Sequence, residues 1–256
     1  METKNFSFDR LTYFNPTSFR LPSEIYTILE MDAIHFGFKK NNKSNISGFL
    51  NELLPALSKY KFDWHNEILG EENNDITLIN KIENILNSVT LTQNSLFKQT
   101  SVTIPFRVNK KHYDDFLFIH DKQLPMLNLD FSEFIRSLLI DYTSKRLAIR
   151  ERLFFYEKIK LIISSMQNKQ SCRFLVEDNQ VLPFVPAAII ISPYTGANII
   201  VGINKLKKCT ISVGLSSIKH ITQEGYVTDF TPQEIAALQT ALDKFIEKEK
   251  KLRRAD

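Results

Sequence analysis

The sequence predicts an α+β fold, a helical N-terminal region followed by a small β-barrel and a C-terminal helix, and three observations carry that prediction. A segment of strand, helix, loop and helix near residues 17–60 has a degenerate second copy near 102–142. From Cys172 the apolar spacing leaves the helical period for short runs punctuated by turn residues. After Phe230 the helical period returns, behind a helix-start tetrapeptide.

The repeat is visible residue by residue. Phe19-Arg20-Leu21 with Tyr26 matches Phe106-Arg107-Val108 with Tyr113, an offset of 87, and the run Ile46 to Leu54 matches Phe131 to Leu139, an offset of 85. Each copy opens with an alternating stretch, Thr17 to Leu21 and Thr103 to Val108. Period two puts Phe19 and Leu21, or Ile104, Phe106 and Val108, on one face. The other face carries Ser18 and Arg20, or Thr103, Pro105 and Arg107. Pro22 and Ser23 then start a helix with Ile25, Ile28 and Leu29 at helical spacing. A basic loop (Lys39, Lys40, Lys43) leads to a second helix that Ser44 or Asn45 can cap, with Phe49, Leu50, Leu53 and Leu54 buried. The second copy repeats this with Asp130 or Ser132 near the cap and Phe134, Ile135, Leu138 and Leu139 as the apolar stripe. Between the copies, Leu78, Ile79, Ile82, Ile85 and Leu86 predict a helical insertion over 61–100, with a loop at Glu71 to Asp75.

A short strand followed by two amphipathic helices resembles the ribbon-helix-helix family, whose members pair two strands into an antiparallel ribbon laid in a groove of nucleic acid. The resemblance covers residues 1–148 as one domain and implies that Ser18, Arg20, Thr103 and Arg107 face the nucleic acid. It further implies that the backbone amides of Asn45 to Ser47 and Asp130 to Ser132 hold phosphates. In this chain Pro105 interrupts the second strand and Asp130 places a negative charge at its cap. The plain alternative is a helical dimerisation domain in which Arg20 and Arg107 are solvated strand residues. Whether the copies pair within one chain or between two is left open.

Residues 149–256 form the second predicted domain. Glu151 to Asn168 reads as an apolar helix, and strands follow at Cys172 to Val176, Val181 to Val185, Ala187 to Ile191, Asn198 to Ile203 and Cys209 to Val213. The chain then passes Leu215 to Ile218 and a loop around Gly225 to the helix opened by Thr231-Pro232-Gln233-Glu234, which has capping-box spacing. Arg173-Phe174, Val185-Pro186, Ser192-Pro193, Asn198 to Gly202 and Leu215-Ser216-Ser217-Ile218 resemble, in that order, a WYL domain, a small Sm-like barrel of bacterial regulators. Its naming tripeptide is replaced by Ile199-Ile200-Val201, and its usual ligand arginines by Gly214 and Ser217. Arg173, Lys205, Lys207, Lys208 and Lys219 remain as candidates for an anionic ligand, although lysines in a turn also read as a solvated tip.

The two halves, with the junction Arg150 to Phe155, are similar to WYL-type accessory proteins of RNA-targeting CRISPR systems. That likeness implies a cytoplasmic homodimer that binds single-stranded RNA or DNA through Ser18, Arg20, Lys39, Lys40, Lys43, Thr103, Arg107, Arg173, Lys205, Lys207, Lys208 and Lys219, and that modulates an effector nuclease. A ribbon-helix-helix repressor on duplex DNA and a protein-protein adaptor are the rival expectations. Many such relatives continue beyond the barrel, where this chain has only the helix ending in Lys248 to Arg254.

Composition agrees. The 256 residues are 43% hydrophobic with a net charge of +4, enough for a sizeable core and mildly basic, which permits nucleic acid without demanding it. Two cysteines in predicted strands fit a reducing compartment, and neither a membrane-length apolar run nor a signal peptide is expected, Met1 to Phe8 being polar and charged. No enzyme, cofactor or metal is expected. Seven glycines build no phosphate-cradling loop, and five scattered histidines have no zinc-ligand spacing. His120-Asp121 and Asp114-Asp115 read as solvated helix ends.

Overall fold

A computed structural model describes residues 17–68, 101–127, 130–176, 179–226 and 229–252. These fall into two compact units that divide between Ser144 and Lys145, and the architecture is α+β. The insertion expected over 61–100 lies outside the described residues from 69 onward.

In the first unit, β1 (Thr17–Pro22) and β4 (Ser101–Phe106) pair antiparallel, with Phe19 opposite Ile104 and Leu21 opposite Val102. The strands that open the two copies therefore pair within one chain. Alternation does what period two requires: Phe19, Leu21, Ile104 and Phe106 are buried, while Ser18, Arg20, Thr103 and Pro105 are exposed. Beneath the ribbon lie α1 (Ser23–His35), α2 (Ile46–Ile68), α3 (Tyr113–Phe118) and α4 (Phe131–Thr143). Their stripes of Leu29, Phe49, Leu50, Leu53, Leu54, Ile135 and Leu139 are fully covered. Between α1 and α2 a hairpin, β2 (Lys39–Lys40) and β3 (Lys43–Ser44), turns through Asn41 and Asn42 at φ 51° and 59°, the left-handed pair that a two-residue hairpin turn demands. Among the described residues the second copy has no such hairpin. Its first helix runs into a π-helical turn, Ile119–Gln123, before Leu124–Leu127.

Buried polar contacts also fix this core. Tyr142 Oη donates to Asp32 Oδ2 at 2.7 Å, joining α4 to α1 where both residues are buried. Ser58 Oγ donates to Gln123 Oε1 at 2.6 Å, also buried.

The second unit is a five-stranded antiparallel sheet in the order β8-β7-β6-β5-β9, made of β5 (Gln170–Val176), β6 (Val181–Ile191), β7 (Asn198–Asn204), β8 (Cys209–Gly214) and β9 (Ile218–Tyr226). Three expectations need correction. The two strands expected on either side of Pro186 are one, β6, because the register shift between Pro186 and Ala188 absorbs a residue at the proline rather than ending the strand. The loop expected around Gly225 is the end of a strand that no expectation placed, β9, which begins at Ile218. A register shift between Leu175 and Val176 places its buried Ile218 and Ile221 three apart, which hides the period of two. The expected barrel is an open sheet in its hydrogen bonding, with β8 and β9 as its edges.

The expected single helix over Glu151 to Asn168 is also two, α5 (Leu147–Phe154) and α6 (Tyr156–Gln167), broken at Phe155 (φ −99°, ψ 31°). Phe155 is buried there, so burial of its ring is compatible with the break. Ile159 and Ile162 of α6 are buried, and α6 lies on β5, β6 and β9. The final helix, α7 (Pro232–Leu252), sets Leu238 on Val201 and Ile203. Strand β7 is thus buried on both faces, Ile200 on one and Val201 and Ile203 on the other, so its sequence is a continuous apolar run instead of an alternation. At Gly202 a Cβ would meet the Val185 carbonyl oxygen at 2.1 Å, so only glycine fits. The expected capping box opens α7: Glu234 N–H donates to Thr231 Oγ1 at 3.3 Å and Thr231 N–H to Glu234 Oε2 at 2.9 Å.

Candidate nucleic-acid interface

The outer face of the β1–β4 ribbon is the site the repeat architecture builds. Arg20 stands directly opposite Thr103 and Ser18 opposite Pro105, and all four are exposed. Because a two-stranded ribbon leaves one side of each strand unpaired, Pro105, with no N–H, is accommodated there. Arg107 follows the last paired residue of β4 and is exposed. Among the described residues neither Arg20 nor Arg107 has a carboxylate within 4.0 Å, so no intrachain partner competes with a ligand for either.

The end of β4 is held from below by one residue. Asn51 of α2, itself buried, donates through Nδ2 to the Arg107 carbonyl at 3.0 Å and accepts from Asn109 N–H at 2.7 Å. Its amide acts as a strand partner for the chain on either side of Val108. Next to it, Glu52 binds Lys111 Nζ at 2.7 Å and lies 3.0 Å from His112 Nε2, while His112 Nδ1 lies 3.2 Å from Asp115 Oδ2. Burial tends to raise the Glu52 carboxyl, but the Lys111 hydrogen bond and the adjacent His112 ring outweigh it and hold the group below its ordinary value. Lys111 is thereby committed within the chain, whereas Arg107 four residues earlier is not.

The helix starts offer less to phosphate than their sequence implies. At α2 the Asn45 side chain accepts from Gly48 N–H at 3.0 Å, and at α4 Asp130 accepts from Glu133 N–H at 2.7 Å while Glu133 reaches back to Asp130 N–H. In each helix a side chain already satisfies one of the first-turn amides, and at α4 the cap carries the ligand's own charge sign. The hairpin lysines Lys39, Lys40 and Lys43 are exposed at the tip between α1 and α2.

In the second unit the predicted basic residues are divided. Lys205 binds both carboxylate oxygens of Glu234 at 2.8 and 2.9 Å and lies 5.3 Å from the Phe230 ring centroid. Those contacts lower the Glu234 carboxyl from its ordinary value. Arg173 is ion-paired with Glu224, and Lys219 donates to Asn179 at 3.3 Å. Lys207 and Lys208 are exposed in the β7–β8 turn, with Lys208 at φ 49°. Turn geometry alone did not reveal that Lys205 is a structural cation; its partner lies 29 residues away.

Sequence reasoning also missed a buried network at the start of β7. Glu151 of α5, fully buried, accepts from the backbone N–H and from Nδ2 of Asn198, while Asn198 Nδ2 also reaches the Ala148 carbonyl at 2.6 Å. Arg152 Nε donates to Asn198 Oδ1 at 2.9 Å. Asn198 thus locks α5 to the sheet, and the signal was an Asn opening an otherwise apolar run. Lys158 of α6 is a half-buried cation. Its ammonium donates to the Ile218 carbonyl and lies 4.2 Å from the Phe155 centroid, and burial lowers its pKa to about 8. Among the described residues no cluster of three or more His, Cys, Asp or Glu could hold a metal, and no helix is long and apolar enough to cross a membrane.

No protein-family model matches this chain, and no curated protein does. Among solved structures it is similar to one described as the crystal structure of a CRISPR Cas-related protein, with a TM-score of 0.61 at 14% identity over 87% of this chain. The match spans 66% of that protein's length. At this identity the likeness is one of fold.

Proposed function

We propose that this chain is a nucleic-acid-binding regulator of the tandem ribbon-helix-helix plus WYL type, one that binds single-stranded RNA or DNA and modulates a CRISPR or other defence effector. The observation that carries the reading is the exposed ribbon face, with Arg20 and Arg107 charged, unpaired among the described residues and mounted on a buried apolar underside. The fold shared with a CRISPR Cas-related protein supports the defence setting. In this reading the protein is a cytoplasmic homodimer and a binder, and the chemistry belongs to its effector.

A second reading is favoured by the intrachain pairing itself. A strand pair with one apolar and one polar face is the shape that enters the major groove of duplex DNA, so a transcriptional repressor is the rival. Fluorescence anisotropy against single-stranded RNA, single-stranded DNA and duplex DNA separates the two. Tighter single-strand binding supports the first reading, and tighter sequence-dependent duplex binding supports the second. Binding to none of the three at low salt leaves a protein-protein adaptor.

A further inference from the structure

We propose that the cleft between β7–β8 and α7 is a binding site for a small phosphate ester carrying a planar ring, of mononucleotide size. The cleft encloses about 340 Å³, within the range of ligand sites and at its small end. Its origin is legible in α7. Leu238 seats the helix on Val201 and Ile203, while Ala237 and Ala241, one turn apart on the flank beside it, are too small to fill the space over β8. The lining continues along the same flank to Lys244 and Lys248, again one turn apart.

The chemistry of the lining selects the ligand. Lys244 and Lys248 line the cleft together with the hydroxyl residues Thr210, Ser212 and Thr240. Among the described residues no carboxylate lies within 4.0 Å of either ammonium, and Lys248 lies 5.6 Å from the Tyr194 ring centroid. Thr240 Oγ1 donates to the Ala236 carbonyl at 2.9 Å, which leaves Thr210 and Ser212 as hydroxyl donors; two uncompensated cations beside them suit a phosphate, which offers three acceptor oxygens and close to two charges, better than a carboxylate. Thr210 Oγ1 has no hydrogen-bond partner, so turning it toward a bound acceptor breaks nothing. Ile211 and Phe245 supply an apolar wall, and the Phe245 ring gives a planar group a surface to stack on. Gly214 and Ser217 do not line this cleft, so it is separate from the positions where WYL relatives carry their ligand arginines.

Isothermal titration of the full chain with adenosine 5′-monophosphate, adenosine and inorganic phosphate tests the proposal. The nucleotide is expected to bind more tightly than either fragment. The double variant Lys244→Ala, Lys248→Ala should weaken it at least about tenfold. Ala241→Leu should do the same by filling the cleft with both charges intact, and circular dichroism confirms that each variant is folded. Arg20→Ala, Arg107→Ala should leave nucleotide affinity unchanged, so failure of the ribbon reading and failure of this site are told apart. A 5′-phosphorylated single strand that competes with the nucleotide would assign the cleft to strand ends, and lack of competition to free nucleotides. No binding up to about 10 mM nucleotide, an affinity untouched by the double lysine variant, or phosphate binding as tightly as the nucleotide would overturn the proposal.

Discussion

At the scale of single residues, the chain's polar anchors are few and each does a separable job. Lys158 is held at about 8 against an ordinary 10.5 by burial over Phe155. Its folded form releases its proton first, so between those values the unfolded chain binds more protons and stability rises with pH. Thermal melts of wild type and Lys158→Met should therefore diverge in the wild type's favour as pH is raised from 8 to 10.5. Parallel curves would show that the ammonium is solvated. Asn51→Ala should cost about 1 to 3 kcal/mol in urea unfolding, because it strands the Arg107 carbonyl and Asn109 N–H. A loss within a few tenths would mean water takes its place. Residues of this kind were the least legible in the sequence. Asn51, Asp32 and Glu151 sit in helices with no local mark, since their partners are 47 to 110 residues away.

At the scale of elements, local chemistry was legible wherever one face alone is buried. The ribbon strands alternate cleanly, the helix stripes fall where the period puts them, and the Thr231 to Glu234 box opens α7 as its spacing requires. Legibility failed where register breaks, at the bulges in β6 and β9, because an inserted residue flips every later side chain. It failed again in β7, where two-sided burial erases alternation and the closest constraint is Gly202. Gly202→Ala puts a Cβ against the backbone of β6, and a loss of about 1 to 3 kcal/mol is expected with the fold retained. Unchanged stability would mean that the two strands separate easily at this point.

At the scale of the whole molecule, the duplication lets one chain supply both strands of its ribbon, so unit one does not need a second copy to bury Phe19, Leu21, Ile104 and Phe106. Assembly then rests on other surfaces. The proposed homodimer predicts twice the chain mass by light scattering at low micromolar concentration, and a monomer there would remove dimerisation from the account while leaving the ribbon intact. The candidate interface was legible in outline, because period two put Ser18, Arg20, Thr103 and Arg107 outward. It was not legible in detail, because intrachain partners had already claimed Arg173, Lys205 and Lys219. The central claim, that the ribbon's free arginines contact nucleic acid, is tested most directly by the salt dependence of single-stranded RNA affinity in wild type and in Arg20→Ala, Arg107→Ala. Each phosphate contact on a single strand contributes about 0.7 to the slope of log affinity against log salt. The account predicts weaker binding in the double variant, with a slope shallower by about 1.4 if both arginines meet phosphates. Wild-type affinity and slope in that variant would contradict it.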